Sequence, residues 1–372
     1  MRGLFDDLCD PRHWVRIREI HWCKVLHPRI GGKPEGHKAV KLETFSSISS
    51  RKGDMMESVS FAGRVAIVTG AGRGLGREFA MLLAARGASV VVNDIGVSAD
   101  SERYINSPVD SGSIVDPAQS VVDEIVAAGG SAIANRADVT DRAAVTAMVE
   151  EAVAKWGRVD IVINNAGIVA LVPFRELTAE TLKKFFEVHV IGSFNVTQAA
   201  WGHMLDQGYG RILNVASTNG VVFGIPEMAA YDTAKSAMAG LTRNLAVEAT
   251  GTGIQINGLL PGGRTRSQAS TKVVKPPIDL SASLVAPGAC WLVHEDCTDS
   301  GSFFTCSSAR MGTAFVGIGE GYQTTPDDFT LETLREHWPA ISSTAPSIVP
   351  RVIAEYQEFR TRSFKRVQEQ KV

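Results

Sequence analysis

The sequence lacks the features that mark membrane, nucleic-acid-binding and disulfide-stabilised proteins. Its 372 residues contain no run of about eighteen apolar residues, so no membrane span is predicted. Lys and Arg number 38 against 40 Asp and Glu, and this balance predicts no nucleic-acid partner. The five cysteines are an odd number without a framework spacing, which favours free thiols in a reducing compartment.

Residues 1–60 lack the periodic patterns of the rest of the chain. Trp, His and Arg are scattered there, and TFSSISSRKGD at 44–54 is typical of a linker. His13, His21, Cys23 and His27 match no standard zinc spacing, so no metal is predicted. We therefore expect residues 1–60 to lie outside the fold, and removal of residues 1–55 to leave folding and activity intact.

The stretch GRVAIVTGAGRGLGREFAMLLAARGASVVVND, residues 63–94, is the most informative part of the chain. A short apolar run, Val65 to Val68, predicts a buried parallel strand. A turn with Gly70, Gly74 and Gly76 follows, and then apolar residues recur at helical spacing. Glycines between a strand and a helix let the backbone approach a pyrophosphate at the helix N-terminus. The pattern therefore predicts a nucleotide site.

Asp94 ends the second predicted strand, where a carboxylate can accept hydrogen bonds from the adenosine ribose hydroxyls. It would also repel a 2′-phosphate, and no basic residue directly follows it. Arg73 in the glycine turn could favour a phosphate, but the balance favours NAD over NADP. The alternative interpretation is an aspartate that stabilises a turn at the strand end.

Several motifs together resemble the short-chain dehydrogenase/reductase family. They are TGAGRGLG at 69–76, RADV at 136–139, NNAG at 164–167, the pair Tyr231 and Lys235 as Y-x-x-x-K, and PGGRT at 261–265. The resemblance covers about residues 60–320. It implies cofactor contacts from Gly70, Arg73, Gly74, Leu75, Gly76, Asp94, Asp138, Val139, Asn165, Ala166, Gly167, Tyr231, Lys235, Pro261, Gly262 and Thr265.

The alternation of strands and helices agrees with the fold that this resemblance implies. We predict an α/β protein with a doubly wound parallel sheet, the Rossmann fold, in one domain at 61–325. Residues 326–372 are predicted to form a helical C-terminal extension. Gly70, Asn164, Ser217 and Pro261 each follow a predicted strand, so we expect them to meet at one edge of the sheet.

The resemblance implies a catalytic set of Ser217, Tyr231 and Lys235. A Tyr and a Lys four residues apart share one helix face, but such pairs are common and are weak evidence alone. Tyr231 would be the general acid or base, and the Lys235 ammonium would lower its pKa. Ser217 would hold the substrate oxygen; its alternative role is that of a helix or turn cap, and Thr218 is its nearest rival.

His189 departs from the family pattern, which places an asparagine at this point of a long helix. The asparagine is thought to act through a main-chain carbonyl that holds a water in the proton relay. Histidine would keep that carbonyl, so His189 is included as a fourth catalytic candidate. Equally, it could be a buried histidine with a purely structural role.

Two further stretches narrow the resemblance. VHVIGSFNVTQAAWGHM at 188–204 and APGACWLVHEDCTDSGSFF at 286–304 are similar to the dehydrogenase unit of the peroxisomal multifunctional enzyme of fatty-acid β-oxidation. A polar insertion at 99–119 fits that unit too. This implies a 3-hydroxyacyl-CoA substrate. The alternatives are a hydroxysteroid or cyclic terpenoid alcohol, or a catalytically silent dinucleotide-binding regulator.

The resemblance also implies an assembly and a location. Family members commonly pair two long helices, here 181–203 and 231–250, so a homodimer or homotetramer is expected. The chain ends in EQKV rather than S-K-L, which favours a cytoplasmic location.

Overall fold

The structure is a computed structural model that describes residues 58–96, 116–263, 279–344, 348–350 and 353–369. All of these lie in one unit of the chain, Ser58–Val372. The predictions for residues 1–57, for most of the insertion at 99–119 and for Thr265 fall outside the described residues.

The strands of the described residues form one sheet. They are β1 (Val65–Thr69), β2 (Ser89–Asn93), β3 (Ser131–Asn135), β4 (Ile161–Asn164), β5 (Gly210–Val215), β6 (Ile254–Gly262), β7 (Phe303–Ser307) and β8 (Arg310–Ala314). The main helices are α1 (Gly74–Ala85), α2 (Pro117–Ala127), α3 (Arg142–Trp156), α4 (Ala179–Phe186), α5 (Gly192–Gln207), α6 (Ala229–Glu248), α7 (Ala286–Trp291), α8 (Leu331–Ile341) and α9 (Ile353–Glu369).

The strand order is β3-β2-β1-β4-β5-β6-β7-β8, and every neighbouring pair is parallel except β7 with β8. The chain winds outward from β1 to β3 and then returns to place β4 on the other side of β1. This reversal opens a crevice at the carboxyl ends of β1 and β4, where doubly wound sheets bind ligands. The predicted fold class is confirmed.

Both faces of the sheet are covered, which explains why its strands are continuous apolar runs. In β1, Ala66 and Val68 pack on the side of α1, α2 and α7, whereas Val65 and Ile67 pack on the side of α3 and α5. Successive side chains in a strand point to opposite faces, so a strand buried on both sides cannot alternate polar and apolar residues.

The long helix predicted around residue 189 is interrupted. A π-helical turn, Glu187–Ile191, joins α4 to α5, and the backbone stays helical through both junctions. A π turn inserts an extra residue into an α-helix and is frequent at functional sites. The apolar periodicity continues across it, so the sequence pattern predicts the helix but not its π turn.

The described cysteines Cys290, Cys297 and Cys306 are buried free thiols. Burial raises the pKa of Cys290 to about 12, so its thiol stays protonated at neutral pH.

Among helices in the described ranges, none is both long and apolar enough to cross a bilayer. C-terminal to β8 lie α8 and α9, and Thr330 with Thr333 forms a capping box at the start of α8.

Candidate active site

The glycine turn after β1 has a backbone that other residues would not fit. Gly70 and Gly74 have φ of 61° and 54°, in the left-handed region. At Gly76, an added Cβ would lie 2.3 Å from the carbonyl oxygen of Gly70. The turn therefore depends on glycine for both its conformation and its close packing.

Helix α1 begins directly after this turn with an open N-terminus. The side chain at its N-cap, Arg73, makes no capping hydrogen bond, and the first turn carries no acidic residue. The first amides of a helix have no partner within the helix, and its dipole favours an anion there. By contrast, Asp116 caps α2 and Asp141 caps α3 by accepting bonds from two backbone amides each. The start of α1 therefore fits a pyrophosphate.

Asp94 lies just beyond β2 and connects this strand end to the glycine turn. Its Oδ2 accepts a hydrogen bond from the Gly72 amide at 3.0 Å, and its Oδ1 accepts one from the Gly96 amide at 2.9 Å. Each carboxylate oxygen retains a lone pair for a further donor. The ribose and the turn interpretations of Asp94 are therefore compatible.

The sequence analysis missed Thr69 as a site residue, although it is the first letter of the glycine motif. Its Oγ1 accepts hydrogen bonds from the amides of Asn165 and Ala166, both at 3.0 Å. Asn165 Nδ2 in turn donates to the carbonyls of Thr69 and Gly70, at 2.9 and 3.0 Å. These bonds join the ends of β1 and β4 and bring the NNAG segment against the glycine turn.

The two predicted adenine-side residues differ in exposure. Asp138 is exposed and accepts a hydrogen bond from the Thr140 amide at 2.9 Å, whereas Val139 is buried. The Val139 carbonyl accepts from Asn195 Nδ2 at 3.0 Å. Asn195 is a second residue that sequence reasoning missed, because it lies in α5, far along the chain.

The end of β6 closes the opposite side of the crevice. The Gly262 carbonyl accepts a hydrogen bond from Ser307 Oγ at 2.6 Å, and Pro261 pairs with Cys306 of β7. A Cβ on Gly263 would lie 3.0 Å from Leu75 Cδ2, so this segment contacts the start of α1. The described part of the PGGRT motif thus lies beside the glycine turn.

Ser217 and Tyr231 meet beyond the end of β5. The Ser217 hydroxyl accepts a hydrogen bond from the Asn219 amide at 3.1 Å and also bonds the Tyr231 side chain. The bond from the Asn219 amide is the capping role that the sequence analysis gave as the alternative for Ser217, whereas a contact with the substrate oxygen stays a prediction. Thr218, the rival of Ser217, begins the short helical turn that Ser217 caps.

Lys235 lies one turn along α6 from Tyr231 and is buried. Its Nζ donates to the Val215 carbonyl at 2.6 Å and lies 5.6 Å from the centre of the Tyr231 ring. Burial lowers the pKa of Lys235 to about 7. Part of the lysine population is therefore neutral at physiological pH.

The pKa of Tyr231 lies above its ordinary value, whereas the sequence analysis expected the Lys235 ammonium to lower it. Burial raises the pKa of Tyr231, and the hydrogen bond with Ser217 only partly opposes this effect. The physical reason is that both groups are buried, which disfavours the phenolate and the ammonium alike.

His189 lies in the π turn and is buried, with its ring edge-to-face on Tyr231 at 5.5 Å between centroids. Its Nε2 donates to the Ile168 carbonyl at 2.8 Å, so Nδ1 is the bare acceptor of the ring. Nδ1 is buried and has no partner among the described residues. Burial is the main cause that holds the pKa of His189 well below its usual value, and Lys235 adds to this effect.

Two features around His189 were not readable from the sequence. The His189 carbonyl accepts a hydrogen bond from Ser193 Oγ at 2.7 Å. A Cβ on Gly167 would lie 2.4 Å from His189 Cε1, so the NNAG glycine makes room for the imidazole. The Ser193 bond is a local contact between residues four apart in the helical segment, whereas the Gly167 contact depends on how the segment after β4 packs against the π turn.

Comparison with known proteins connects this geometry to a family. The family model for short chain dehydrogenases matches residues 108–276. The chain is 36% identical over 251 residues to a putative short-chain type dehydrogenase/reductase of Mycobacterium tuberculosis, covering 67% of this chain and 83% of that protein. It is 35% identical over 288 residues to the peroxisomal multifunctional enzyme type 2 of Drosophila melanogaster, covering 76% of this chain and 46% of that protein.

Solved structures agree. The full-length Drosophila enzyme superposes with a TM-score of 0.66 at 30% identity over 83% of this chain and 50% of that one. A 7α-hydroxysteroid dehydrogenase complexed with NADH and 7-oxo glycochenodeoxycholic acid gives a TM-score of 0.58 at 32% identity, covering 67% of this chain and 94% of that chain. The chain spans less than half the length of the multifunctional enzyme in the sequence comparison. The resemblance stated from the sequence motifs is confirmed.

Proposed function

We propose that this chain, which belongs to the short-chain dehydrogenase/reductase family, interconverts a secondary alcohol and a ketone with NAD. Members of this family are oxidoreductases that use NAD or NADP. The favoured substrate is a 3-hydroxyacyl-CoA. One observation carries the proposal: Ser217, Tyr231 and Lys235 converge at the same sheet edge as a glycine turn that opens helix α1.

The residues of the first half of the sheet fit a dinucleotide. Its pyrophosphate would lie on the open amides of α1, and Asp94 would receive the adenosine ribose hydroxyls. Lys235 would hold the nicotinamide ribose, beside Asn165, Ala166 and Gly167. When bound, the nicotinamide accepts or donates the hydride. The preference for NAD over NADP rests on the Asp94 carboxylate, which would repel a 2′-phosphate.

The side chains of the protein would transfer the proton of the reaction. In alcohol oxidation a Tyr231 phenolate would accept the proton of the substrate hydroxyl and become a phenol, and in ketone reduction the phenol would give a proton to the substrate oxygen and become a phenolate. Ser217 Oγ would hold the same substrate oxygen. A charged Lys235 Nζ would then stabilise the phenolate that forms at Tyr231. Because the pKa of Lys235 is about 7, this charge is adjustable near neutral pH.

His189 is proposed to support this proton path rather than to act on the substrate. Its carbonyl already accepts the Ser193 hydroxyl, but a second lone pair could still hold a water as the family pattern implies. The bare Nδ1 is another buried acceptor at the same turn. The structural alternative, a buried histidine held by the Ile168 carbonyl, is supported by the 2.8 Å contact.

The substrate assignment rests on similarity to the multifunctional enzymes and on two sequence stretches. The yeast relative, 35% identical over 77% of this chain, is named a peroxisomal hydratase-dehydrogenase-epimerase. The rival substrate is a hydroxysteroid, since the 7α-hydroxysteroid dehydrogenase also shares the fold. A catalytically silent regulator is disfavoured because all three side chains of the catalytic set are present.

The test is a comparison of kcat/KM for a 3-hydroxyacyl-CoA, the free 3-hydroxy acid and a hydroxysteroid, each with NAD. We expect the CoA ester to be preferred, and its KM to rise with ionic strength because salt screens contacts to CoA phosphates. A steroid KM should stay nearly flat. If the CoA ester has no advantage, the acyl-CoA assignment is wrong and only the family remains; no turnover of any alcohol would favour the silent regulator.

A homodimer or homotetramer is proposed as the assembly. Ile191 at the end of the π turn, Phe194 in the first turn of α5 and Val247 near the end of α6 are exposed by 40% or more despite being apolar. Such surfaces on paired helices are typical of symmetric interfaces. Sedimentation showing only monomer at micromolar concentration would contradict this. The cytoplasmic location also stays a prediction, because the multifunctional relatives are named peroxisomal.

A further inference from the structure

The strand end that carries Asp94 has a basic neighbour on the next strand of the sheet. Arg136 directly follows β3, just as Asp94 directly follows β2. The last residues of these strands, Asn93 and Asn135, pair in parallel register, and the Asp94 amide donates to the Asn135 carbonyl at 3.0 Å. No basic residue directly follows Asp94 along the chain, but the pairing of β2 with β3 brings one to its side.

The guanidinium of Arg136 lies beside Gly96, a residue that also contacts the Asp94 carboxylate. The Gly96 amide donates to Asp94 Oδ1 at 2.9 Å. A Cβ added at Gly96 would lie 3.7 Å from Arg136 Nη2 and 3.7 Å from Pro117 Cδ. The carboxylate and the guanidinium therefore flank one short segment. Asp94 is the residue proposed to meet the adenosine ribose hydroxyls, so a phosphate on one of these hydroxyls would lie near Arg136 as well.

A second carboxylate holds Arg136 in this place. Arg136 Nε lies 2.8 Å from Asp116 Oδ2, whereas Asp116 Oδ1 caps α2 by accepting from the amides of Ala118 and Gln119. The ion pair uses only Nε, and the Nη groups make no hydrogen bond to the described residues. The Arg136 side chain is also 59% exposed. Its Nη groups are therefore available to a phosphate, which arginine can bind through two parallel hydrogen bonds.

The charges of these three side chains determine which ribose they favour. Asp94 and Asp116 contribute two negative charges and Arg136 contributes one positive charge, so the group is negative as a whole. A 2′-phosphate would be repelled by Asp94 and attracted by Arg136. Asp116 weakens that attraction, because it already pairs with the guanidinium. The balance favours an unphosphorylated ribose, but by less than Asp94 alone would impose.

We propose that Arg136 is a second determinant of cofactor choice, whose Nη groups bind the 2′-phosphate of NADP and limit the preference for NAD that Asp94 imposes. Asp116 sets the strength of this effect, since it holds Nε and partly neutralises the guanidinium. The inference rests on the proposed function, because it requires a dinucleotide bound beside Asp94. The protein is expected to bind NADP measurably, although more weakly than NAD.

Calorimetric titration with NAD and NADP tests the proposal without any turnover. Arg136→Ala should raise the Kd of NADP about five- to tenfold, because a charge-assisted contact with the phosphate is lost. The Kd of NAD should change by less than about twofold. Arg136→Lys keeps the charge without the planar fork, so it should raise the Kd of NADP only about two- to threefold.

Asp116→Asn tests the restraint on the guanidinium. The asparagine oxygen can still cap α2, but the charge that neutralises Arg136 is gone. The Kd of NADP should therefore fall about two- to threefold, while that of NAD stays the same. Arg175→Ala is the matched control, because Arg175 is also exposed and its Nε pairs with the Glu176 carboxylate at 3.2 Å. This variant should leave both Kd values at those of the parent protein.

A pair of smaller ligands isolates the 2′-phosphate from the rest of the dinucleotide. Arg136→Ala should weaken the binding of adenosine 2′,5′-bisphosphate and leave that of 5′-AMP unchanged. Equal weakening of both would mean that Arg136 contacts the adenine instead, and would overturn the proposal. An unchanged Kd of NADP in Arg136→Ala, or a parent protein that binds NAD but no NADP, would overturn this inference alone. A parent protein that binds neither dinucleotide would overturn the proposed function together with it.

Discussion

The two halves of the candidate site differ in how completely their polar groups are paired. In the half built from β1 and β2, Thr69 accepts a hydrogen bond from the Asn165 amide, and Asp94 accepts one from the Gly72 amide in the glycine turn. In the half that follows β4 and β5, three buried polar atoms have no partner among the described residues: Asn164 Oδ1, His189 Nδ1 and Asp232 Oδ1.

This difference separates a preformed site from one that is completed by what it binds. Unpaired buried polar atoms are few in native proteins, and those at a functional site are commonly satisfied by water or ligand. The cofactor half is therefore expected to be rigid and intolerant of added atoms. Substitutions in the substrate half are expected to leave the fold intact but to lower the rate of the reaction.

Tyr231→Phe should have the largest effect on activity. It should reduce catalysis in the substrate half and leave NAD binding in the cofactor half unchanged. The change removes the hydroxyl that moves the proton, so kcat should fall about 10³-fold, which is typical for the loss of a general acid or base. The Kd of NAD should change by less than about twofold. Steady-state kinetics and calorimetric titration measure the two quantities. Tyr322→Phe, outside the site, is the control, and substantial activity in Tyr231→Phe would refute the assignment.

Gly76→Ala should break the cofactor half by sterics alone. Its Cβ would lie 2.3 Å from the Gly70 carbonyl oxygen and 2.5 Å from Asn165 Nδ2. We expect the free energy of unfolding to fall by about 1–3 kcal/mol and NAD binding to weaken at least about tenfold. Thermal denaturation with and without NAD would measure both. Gly202→Ala is the matched control, because a Cβ there meets nothing within 4 Å; equal behaviour of the two variants would contradict the packing argument.

The residues in these two predictions could both be identified from the sequence, but for different reasons. The glycine turn could be predicted because its residues are contiguous and because the local backbone conformation or packing requires glycine at these positions. The family resemblance named Ser217, Tyr231 and Lys235 as a catalytic set, and their catalytic roles stay predictions. Asn195 could not be predicted, because its bond to the Val139 carbonyl joins two segments that the sequence pattern does not link. Burial also reversed the expected direction of the Tyr231 pKa shift.

Asp94→Ala should sharpen the comparison within the cofactor half. The variant loses the acceptor for two backbone amides and the charge proposed to meet the ribose. NAD should bind more weakly by about 1.5–3 kcal/mol, the usual value of a hydrogen bond to a charged group. NADP binding should change less, because the repulsion of its 2′-phosphate is also removed. Asp94→Asn keeps an acceptor without the charge and separates the two effects. Tighter binding of NADP than NAD to the parent protein would overturn the cofactor proposal.

Lys235→Met should impair turnover and NAD binding, and the smallest effect expected of it is a change in how stability depends on pH. The folded pKa of Lys235 is about 7, below its ordinary value of 10.5. Between these two values the unfolded chain binds a proton that the folded chain does not, so the free energy of unfolding of the parent rises with pH across this window. Methionine fills similar space without titrating, and the variant should lack this rise.

Between pH 7 and pH 8, the free energy of unfolding of the parent should therefore rise by about 1 kcal/mol relative to that of Lys235→Met. Below pH 7 both states of the parent hold the proton, so the difference should level off. Urea denaturation at the two pH values measures it, and Lys155→Met, at an exposed lysine of α3, should show no such change. A difference that stays constant from pH 7 to pH 8 would mean that Lys235 remains fully charged in the folded protein, and the adjustable charge proposed beside Tyr231 would then be wrong.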